Sequence, residues 1–372
     1  MKKIKILEII GDSTLTGGPR HLLSLVKGLD KKRFDITCVC PPGVLAGELK
    51  EIEGIKVEII PMHSKWDFKA IKKLRKIIKF LNPLIVHAHG VRGGWLGRLA
   101  CIGPKKTAPK VIYTEHLWTS DYRLKNPISH FFQIFGLWFL DLITSKTIAV
   151  SKAVADFLVK RGITRPEKLV VIYNGIELPK LSKLTKSTKL TKTIGFVGSL
   201  EKRKGIEWLI RAVPELKLKI QNEKLKIIIV GEGKEKENLK KLTKKLKIEN
   251  QVEFKGFVEK ISDIYPTLDV YAQPSLDEAF GISALEAMSF GVPVVASNVG
   301  GLRELLNLKS DKCGILVPPK NESALAEVIL KILKNEKLAK KMGKAAKKRA
   351  SFFTASKMVK ETEKLYEGLL KS

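Results

Sequence analysis

Nowhere in these 372 residues do two aspartates stand two positions apart. The clustered carboxylates that hold magnesium or manganese on a diphosphate are therefore missing, and no metal site is expected. Cysteine is equally scarce: Cys38, Cys40, Cys101 and Cys313 have neither metal-ligand nor disulfide-framework spacing. Reduced core thiols in a cytoplasmic protein are the reading they support. Only 12 of the 69 basic residues are arginine, the residue suited to bidentate phosphate and base contacts, which argues against a nucleic-acid partner. No apolar run is long enough to cross a bilayer, since the most apolar stretch, ISHFFQIFGLWFLDLIT at 128–144, is broken by His130, Gln133 and Asp141. The start, MKKIKILEIIGD, is interrupted by Glu8 and is followed by no small-residue cleavage site, so it reads as a first strand.

Lysine is what the chain has in excess. A net charge of +31 implies either a solvated lysine coat or an anionic partner, and peripheral association with an anionic membrane face is the partner considered. The length suits two domains, and 44% hydrophobic residues are enough for a folded core in each.

Two stretches share one rhythm of β-branched runs and helical patterns. The first runs from KIKILEII through PRHLLSLVKGL, FDITCVC, LIVHAH and VIYT to KLVVIYNGI. The second restarts at TIGFVGS and passes through KLKIIIVGEG, QVEFKGF, LDVYAQPS and PVVAS to CGILVPP. Such alternation predicts an α/β protein of two doubly wound, Rossmann-like domains. The boundaries expected are 1–176, a Lys/Ser/Thr-rich linker at 177–192, and 193–353, with a C-terminal helix over about 354–372 that can return to the first domain. Ligands of open parallel sheets bind at the carboxyl ends of the strands, so the two domains are expected to face one cleft.

The stretch DEAFGISALEAMSFGVPVVASNVGG at 277–301 carries two acids eight positions apart. On one continuous helix Glu278 and Glu286 would be separated by roughly 12 Å along the axis and about 80° around it. That is too far for a glycosidase-type acid/base pair. Gly281 suggests instead a turn before a helix, with Glu278 ahead of the N-terminus and Glu286 within the helix. Free N–H groups there suit a diphosphate or sugar hydroxyls, and a carboxylate in the helix suits a ribose diol. Taken alone, the spacing fits an exposed helix glutamate and a capping acid better. GSLEKRKG at 198–205 places Lys204 where an ammonium can meet a diphosphate. GDSTLTGGPRH at 11–21 lets Gly17 and Gly18 approach a ligand, with Pro19 expected at the first helical position. Among the histidines, His116 stands at a strand end in VIYTEH, a position for function. A structural role is favoured for His87 and His63, and His89 is evenly divided between the two.

Taken together, GGPRHLLSLVKGL, VHAHGVRGGWLGRLA, TEH, AVSKAV, YNGI, GSLEKRKG, VGEGKE, VEFKGF and the E-x7-E stretch resemble the retaining glycosyltransferases of family 4, or group 1, over nearly the whole length. The resemblance implies the GT-B fold and metal-independent transfer, without a cofactor, of a hexose-type sugar from a nucleotide-diphosphate sugar to an acceptor hydroxyl, a lipid-linked or cell-envelope polysaccharide precursor being the class considered. It further implies that Glu286 binds the ribose, Glu278 orients the sugar, Lys204 meets the diphosphate and His116 lies near the reaction centre. Phe280, Gly281 and Ile282 would hold sugar and phosphate, and Val258 would lie near the base. Ser199 departs from the family, many of whose members have arginine there, and Arg203 is the candidate to supply that charge. A nucleotide-sugar 2-epimerase of the same fold and a non-catalytic polyanion-binding protein are the alternatives.

Overall fold

A computed structural model of the chain describes residues 3–103, 108–117, 119, 127–179, 191–220, 224–306 and 312–371, without the side chains of 127–130. The chain forms two compact units, Met1–Glu177 with Ala355–Ser372, and Leu178–Thr354. Most of the segment expected as a linker, 180–190, lies outside the described residues, and the first strand of the second unit already begins at Thr191.

The sheet of unit 1 consists of β1 (Ile4–Ile10), β2 (Phe34–Cys40), β3 (Ile55–Ile59), β4 (Ile85–His89), β5 (Lys110–Glu115), β6 (Lys146–Ala149) and β7 (Leu169–Val171). All its strands are parallel, in the order β3-β2-β1-β4-β5-β6-β7. The chain builds outward from β1 to β3 and then crosses to the other side of β1, which leaves a switch point between β1 and β4 where crossover loops diverge. With helices on both faces, β1 is fully buried from Ile6 to Ile10 and, past the half-buried Lys5, reads as an apolar run with Glu8 as its exception.

The helices explain motifs that composition alone does not. In α4 (Gly90–Ala100, GVRGGWLGRLA) a Cβ on Gly93 would stand 2.7 Å from the Gly11 nitrogen and 2.8 Å from the Ile10 Cα, so this helix lies directly on the end of β1. Ser151 of AVSKAV caps α6 (Lys152–Lys160), its side chain accepting from the Val154 N–H. The run at 128–144 forms α5 (Pro127–Asp141) with an unusual distribution. Its polar breaks Gln133 and Asp141 are buried, whereas Phe131, Phe132, Phe135, Trp138 and Phe139 are 45–65% exposed. The last helix, α13 (Ala355–Lys371), belongs to unit 1, where Met358, Val359 and Tyr366 join the core formed by Leu22, Leu25 and Val26 of α1 (Gly17–Gly28). None of the described helices is long and apolar enough to cross a membrane.

Unit 2 repeats the plan with β8 (Thr191–Val197), β9 (Lys224–Val230), β10 (Val252–Gly256), β11 (Val270–Gln273), β12 (Val294–Ser297) and β13 (Gly314–Val317). Its parallel order is β10-β9-β8-β11-β12-β13, so the switch point falls between β8 and β11. The helices that matter below are α7 (Ile206–Lys219), which follows β8, and α9 (Ile282–Ser289), which follows β11.

Candidate functional site

In unit 2 the loops leaving β8 and β11 meet, because the switch point sets those strands side by side. The Leu276 N–H donates to the Arg203 carbonyl at 2.7 Å. Gly205 ends the first loop with φ of 62°, and a Cβ there would lie 2.0 Å from the Pro274 carbonyl oxygen, so only glycine lets the loops touch. This contact brings Lys204 Nζ to 2.6 Å from Glu278 Oε2, although 74 residues separate them, with the two side chains only 13% and 9% exposed. Ser275 Oγ at 3.1 Å and Gln273 Nε2 at 3.2 Å donate to the same oxygen, and Tyr271 holds Gln273 through a 2.6 Å bond to Oε1. Burial alone would raise the Glu278 carboxyl, but the charges of Lys204 and Arg203 with the hydrogen bonds from Lys204 and Ser275 outweigh it and hold the group below its ordinary value. A pre-formed, ionised carboxylate beside a sheltered ammonium is the result.

Gly281 precedes α9 in the left-handed region at φ 98°, and Ile282 is the first helical residue. Glu278 thus stands before the helix and Glu286 inside it, half-buried, with Tyr265 Oη donating to Glu286 Oε2 at 2.6 Å. Phe280 is buried against Phe353, ring centroids 5.4 Å apart, so its side chain is core. Val258 is half-buried, two residues past the end of β10. Arg203 Nε donates to Glu201 at 2.9 Å, an exposed local pair that turns this guanidinium toward its own loop.

In unit 1 the switch point gathers the loop after β1, the end of β4 and the end of β5. Asp12 organises the first loop by accepting from the Thr14 N–H at 3.0 Å and the Thr16 hydroxyl at 3.2 Å. Helix α1 begins at Gly17 with Thr16 as its cap, so Pro19 is the third helical residue and not the first. The proline is tolerated because its missing N–H falls among the four that have no intrahelical partner. A Cβ on Gly18 would lie 3.6 Å from the His116 ring, which places the glycine motif against the strand-end histidine.

His116 does not stand alone. His21, from α1, packs edge-on to it with centroids 4.8 Å apart, and His89, ending β4, stacks on it at 5.6 Å. His89 Nδ1 lies 3.3 Å from His116 Nε2, and His89 Nε2–H donates to Glu8 Oε2 at 2.8 Å. His21 Nδ1–H donates to Asn174 Oδ1 at 2.8 Å. Burial first, then neighbouring histidines, pull all three imidazoles down, His21 to about 3, His89 to about 4 and His116 well below its usual value, so the cluster is neutral at physiological pH. Behind it, Glu8 Oε1 accepts from the Tyr366 hydroxyl at 2.8 Å, which takes the His87 Nδ1–H at 2.6 Å, while the Thr114 hydroxyl meets His87 Nε2 at 2.6 Å. His87 is thereby satisfied on both ring nitrogens. His63 is exposed and stands apart from the cluster.

Sequence reasoning missed His21, Asn174, Tyr265 and the Gln273–Ser275 support of Glu278. His21 and Asn174 lie inside motifs already singled out, GGPRH and YNGI, but no spacing links residues that only the strand order brings together. Glu8, a charge within a strand buried on both faces, was the one signal available.

Known protein families match both halves of this chain. The family model described as "Glycosyl transferases group 1" matches residues 180–349, and that described as "Glycosyltransferase Family 4" matches 15–180. An uncharacterized glycosyltransferase of Methanocaldococcus jannaschii is 30% identical over 279 residues, covering 70% of this chain and 69% of its own. A capsular polysaccharide biosynthesis glycosyltransferase of Staphylococcus aureus is 25% identical, covering 100% of this chain and 99% of its own. Two further relatives, each 36% identical, are matched over only 50% and 43% of their lengths. Among solved structures, Anabaena HepE in complex with UDP-glucose shares the fold with a TM-score of 0.81 at 21% identity, covering 98% of this chain and 100% of its own.

Proposed function

This chain belongs to the group 1 glycosyltransferases and has the GT-B fold, and we propose that it transfers a hexose-type sugar from a nucleotide-diphosphate sugar to an acceptor hydroxyl, with retention of configuration and without a divalent metal. The observation that carries this reading is the sheltered Lys204–Glu278 pair at the switch point of unit 2. An ammonium fixed on Glu278, a few residues ahead of the amide groups that open α9, supplies positive charge where a diphosphate departs, the task a metal performs elsewhere. Glu278, held ionised, accepts from the sugar hydroxyls and orients the ring, and Glu286, steadied by Tyr265, accepts from the ribose diol. The bond from the anomeric carbon to phosphate breaks first, the diphosphate keeping the electron pair, and the acceptor oxygen bonds on the same face while its proton passes to the departing diphosphate oxygen. His116, a neutral imidazole, offers hydrogen bonds to sugar or leaving group rather than charge. Arg203 is the reserve cation for the arginine that Ser199 replaces, and donor binding would have to draw it away from Glu201.

UDP-sugars are the first donors to try, given the UDP-glucose bound by the Anabaena protein, and a capsular or lipid-linked saccharide precursor is the acceptor class, given the Staphylococcus relative. The exposed aromatic face of α5 on a chain of net charge +31 fits docking on an anionic lipid surface, aromatics entering the headgroup boundary while lysines meet phosphates. Co-sedimentation with anionic vesicles that falls with salt and with Phe135→Ser/Trp138→Ser is expected; no binding at low salt would leave the lysines as a solvated coat.

The transfer reading is tested by nucleoside diphosphate release from UDP-, GDP- and ADP-sugars. Release that needs an acceptor, survives excess EDTA and falls by about one to three orders of magnitude in Lys204→Ala is expected. Acceptor-free sugar isomerisation would indicate the 2-epimerase, no turnover of any donor the polyanion binder, and rescue of an EDTA-killed reaction by magnesium would overturn the metal-free scheme. An inverted anomeric centre by NMR would overturn retention.

A further inference from the structure

We infer that His21, His89 and His116 form a binding site for a divalent transition ion of the zinc class in unit 1. One ring nitrogen from each lies within 4.8 Å of the others. Nitrogens that share a tetrahedral zinc at roughly 2.0–2.1 Å sit about 3.3–3.4 Å apart, and His89 Nδ1 and His116 Nε2 are already 3.3 Å apart. Small ring movements bring in the third.

The hydrogen bonds around the cluster are those a metal site requires. A ligating histidine usually donates its other N–H to a carboxylate or carbonyl, which fixes the tautomer and turns the free lone pair on the ion. His89 does this through Nε2–H to Glu8 and His21 through Nδ1–H to Asn174. Each therefore keeps its remaining nitrogen as a lone pair, and that of His89 faces His116. Among the described residues His21 Nε2 has no hydrogen-bond partner although the residue is only 3% exposed, and a buried lone pair without a donor is an uncompensated loss of hydration. His116 Nδ1 also has no partner among the described residues; moving its proton from Nε2 to Nδ1 frees the ligating lone pair and gives up the 3.3 Å bond to His89, which coordination to the ion replaces.

The adjoining group Glu8, His87 and His89 also has its ligand atoms close together. There, both His87 nitrogens and both Glu8 oxygens are already bonded, so it supports the site and does not compete for the ion. Three imidazoles select zinc, nickel, copper or cobalt over magnesium or manganese, so the ion taken here is of a different class from those that hold a diphosphate. His116 is the one member of the cluster that is not fully buried, which gives the ion a route in and leaves a fourth position for water.

The test is titration of the metal-free full chain with Co2+ and Zn2+. One Co2+ per chain with the intense visible bands of tetrahedral coordination, displaced by Zn2+, is expected. Calorimetric Zn2+ affinity should fall at least tenfold in His116→Ala and in His21→Gln, and stay unchanged in the exposed control His63→Ala. Zn2+ should raise the melting temperature of the wild type and not of either cluster variant, whose own folding is read from the metal-free melt. Absence of stoichiometric binding, or binding that both cluster variants retain in full, would overturn the site; binding lost instead in Cys38→Ser/Cys40→Ser would assign the ion to thiols.

Discussion

Glu286 and Glu278 occur in one short motif, yet their surroundings give them different behaviour. Glu286 is half-buried with a tyrosine hydroxyl on one oxygen, so Glu286→Gln should leave the fold intact and weaken donor binding several-fold by calorimetry, an amide being the poorer acceptor for a diol. Tyr265→Phe should weaken binding less, since it only loosens the carboxylate. An unchanged dissociation constant in Glu286→Gln would remove the ribose assignment. Glu278 carries stability as well. Its pKa is depressed in the folded chain, so the stability it contributes is present above the unfolded carboxylate pKa of roughly 4.3 and is lost as pH falls through the lower folded value. At pH 7 Glu278→Gln leaves Lys204 sheltered without a counter-charge, a loss of about 3 kcal/mol. The melting-temperature gap between wild type and variant should narrow as the pH is lowered from 6 to 3, because the protonated wild type comes to resemble the amide. A gap independent of pH would mean that the ion pair is not its source.

At the scale of the element, strands were the readable part, since buried parallel strands announce themselves as β-branched runs bounded by glycine, and the helix start at Gly281 followed from its position after DEAF. Pro19 misled, because a proline serves anywhere in a first turn and α1 begins two residues earlier. The aromatic face of α5 was hidden in a run that the sequence marks only by its polar breaks. Gln133 and Asp141 turned out to be inside, Gln133 taking the Lys65 ammonium at 2.5 Å and Asp141 the Thr164 hydroxyl. The histidine cluster was illegible for a different reason: its members come from three elements that adjoin only because β1 and β4 straddle the switch point. Helix packing on β1 gives a matched pair of tests. Gly93→Ala should destabilise by about 1–3 kcal/mol in chemical denaturation, because the added methyl meets backbone on both Ile10 and Gly11. Gly47→Ala, in the helix Val44–Lys50 with nothing within 4 Å of the new methyl, should stabilise by up to about 1 kcal/mol. Equal effects would mean that the close approach of α4 to β1 is not limiting.

Across the whole molecule, α13 ties the two ends of the chain into one core. Its first N–H donates to the Ile176 carbonyl at 2.9 Å, Val359 presses on Gly28 of α1, and the Tyr366 hydroxyl bonds Glu8 at the centre of the sheet. Tyr366→Phe, which removes only that hydroxyl, should cost about 1–3 kcal/mol, since Glu8 and His87 are left buried with a missing partner; an unchanged melting temperature would show that the network carries no stability. The arrangement also has a meaning during synthesis. Unit 2 is an insertion between Glu177 and Ala355, so a ribosome adding roughly 5–20 residues per second completes it while unit 1 still lacks its closing helix. Through that interval the apolar faces of Leu22, Leu25 and Val26 have no α13 against them, and Glu8 has no phenol. A nascent chain stalled before residue 355 should therefore present a finished second unit and a first unit that chaperones still hold, the order of completion running opposite to the order of translation.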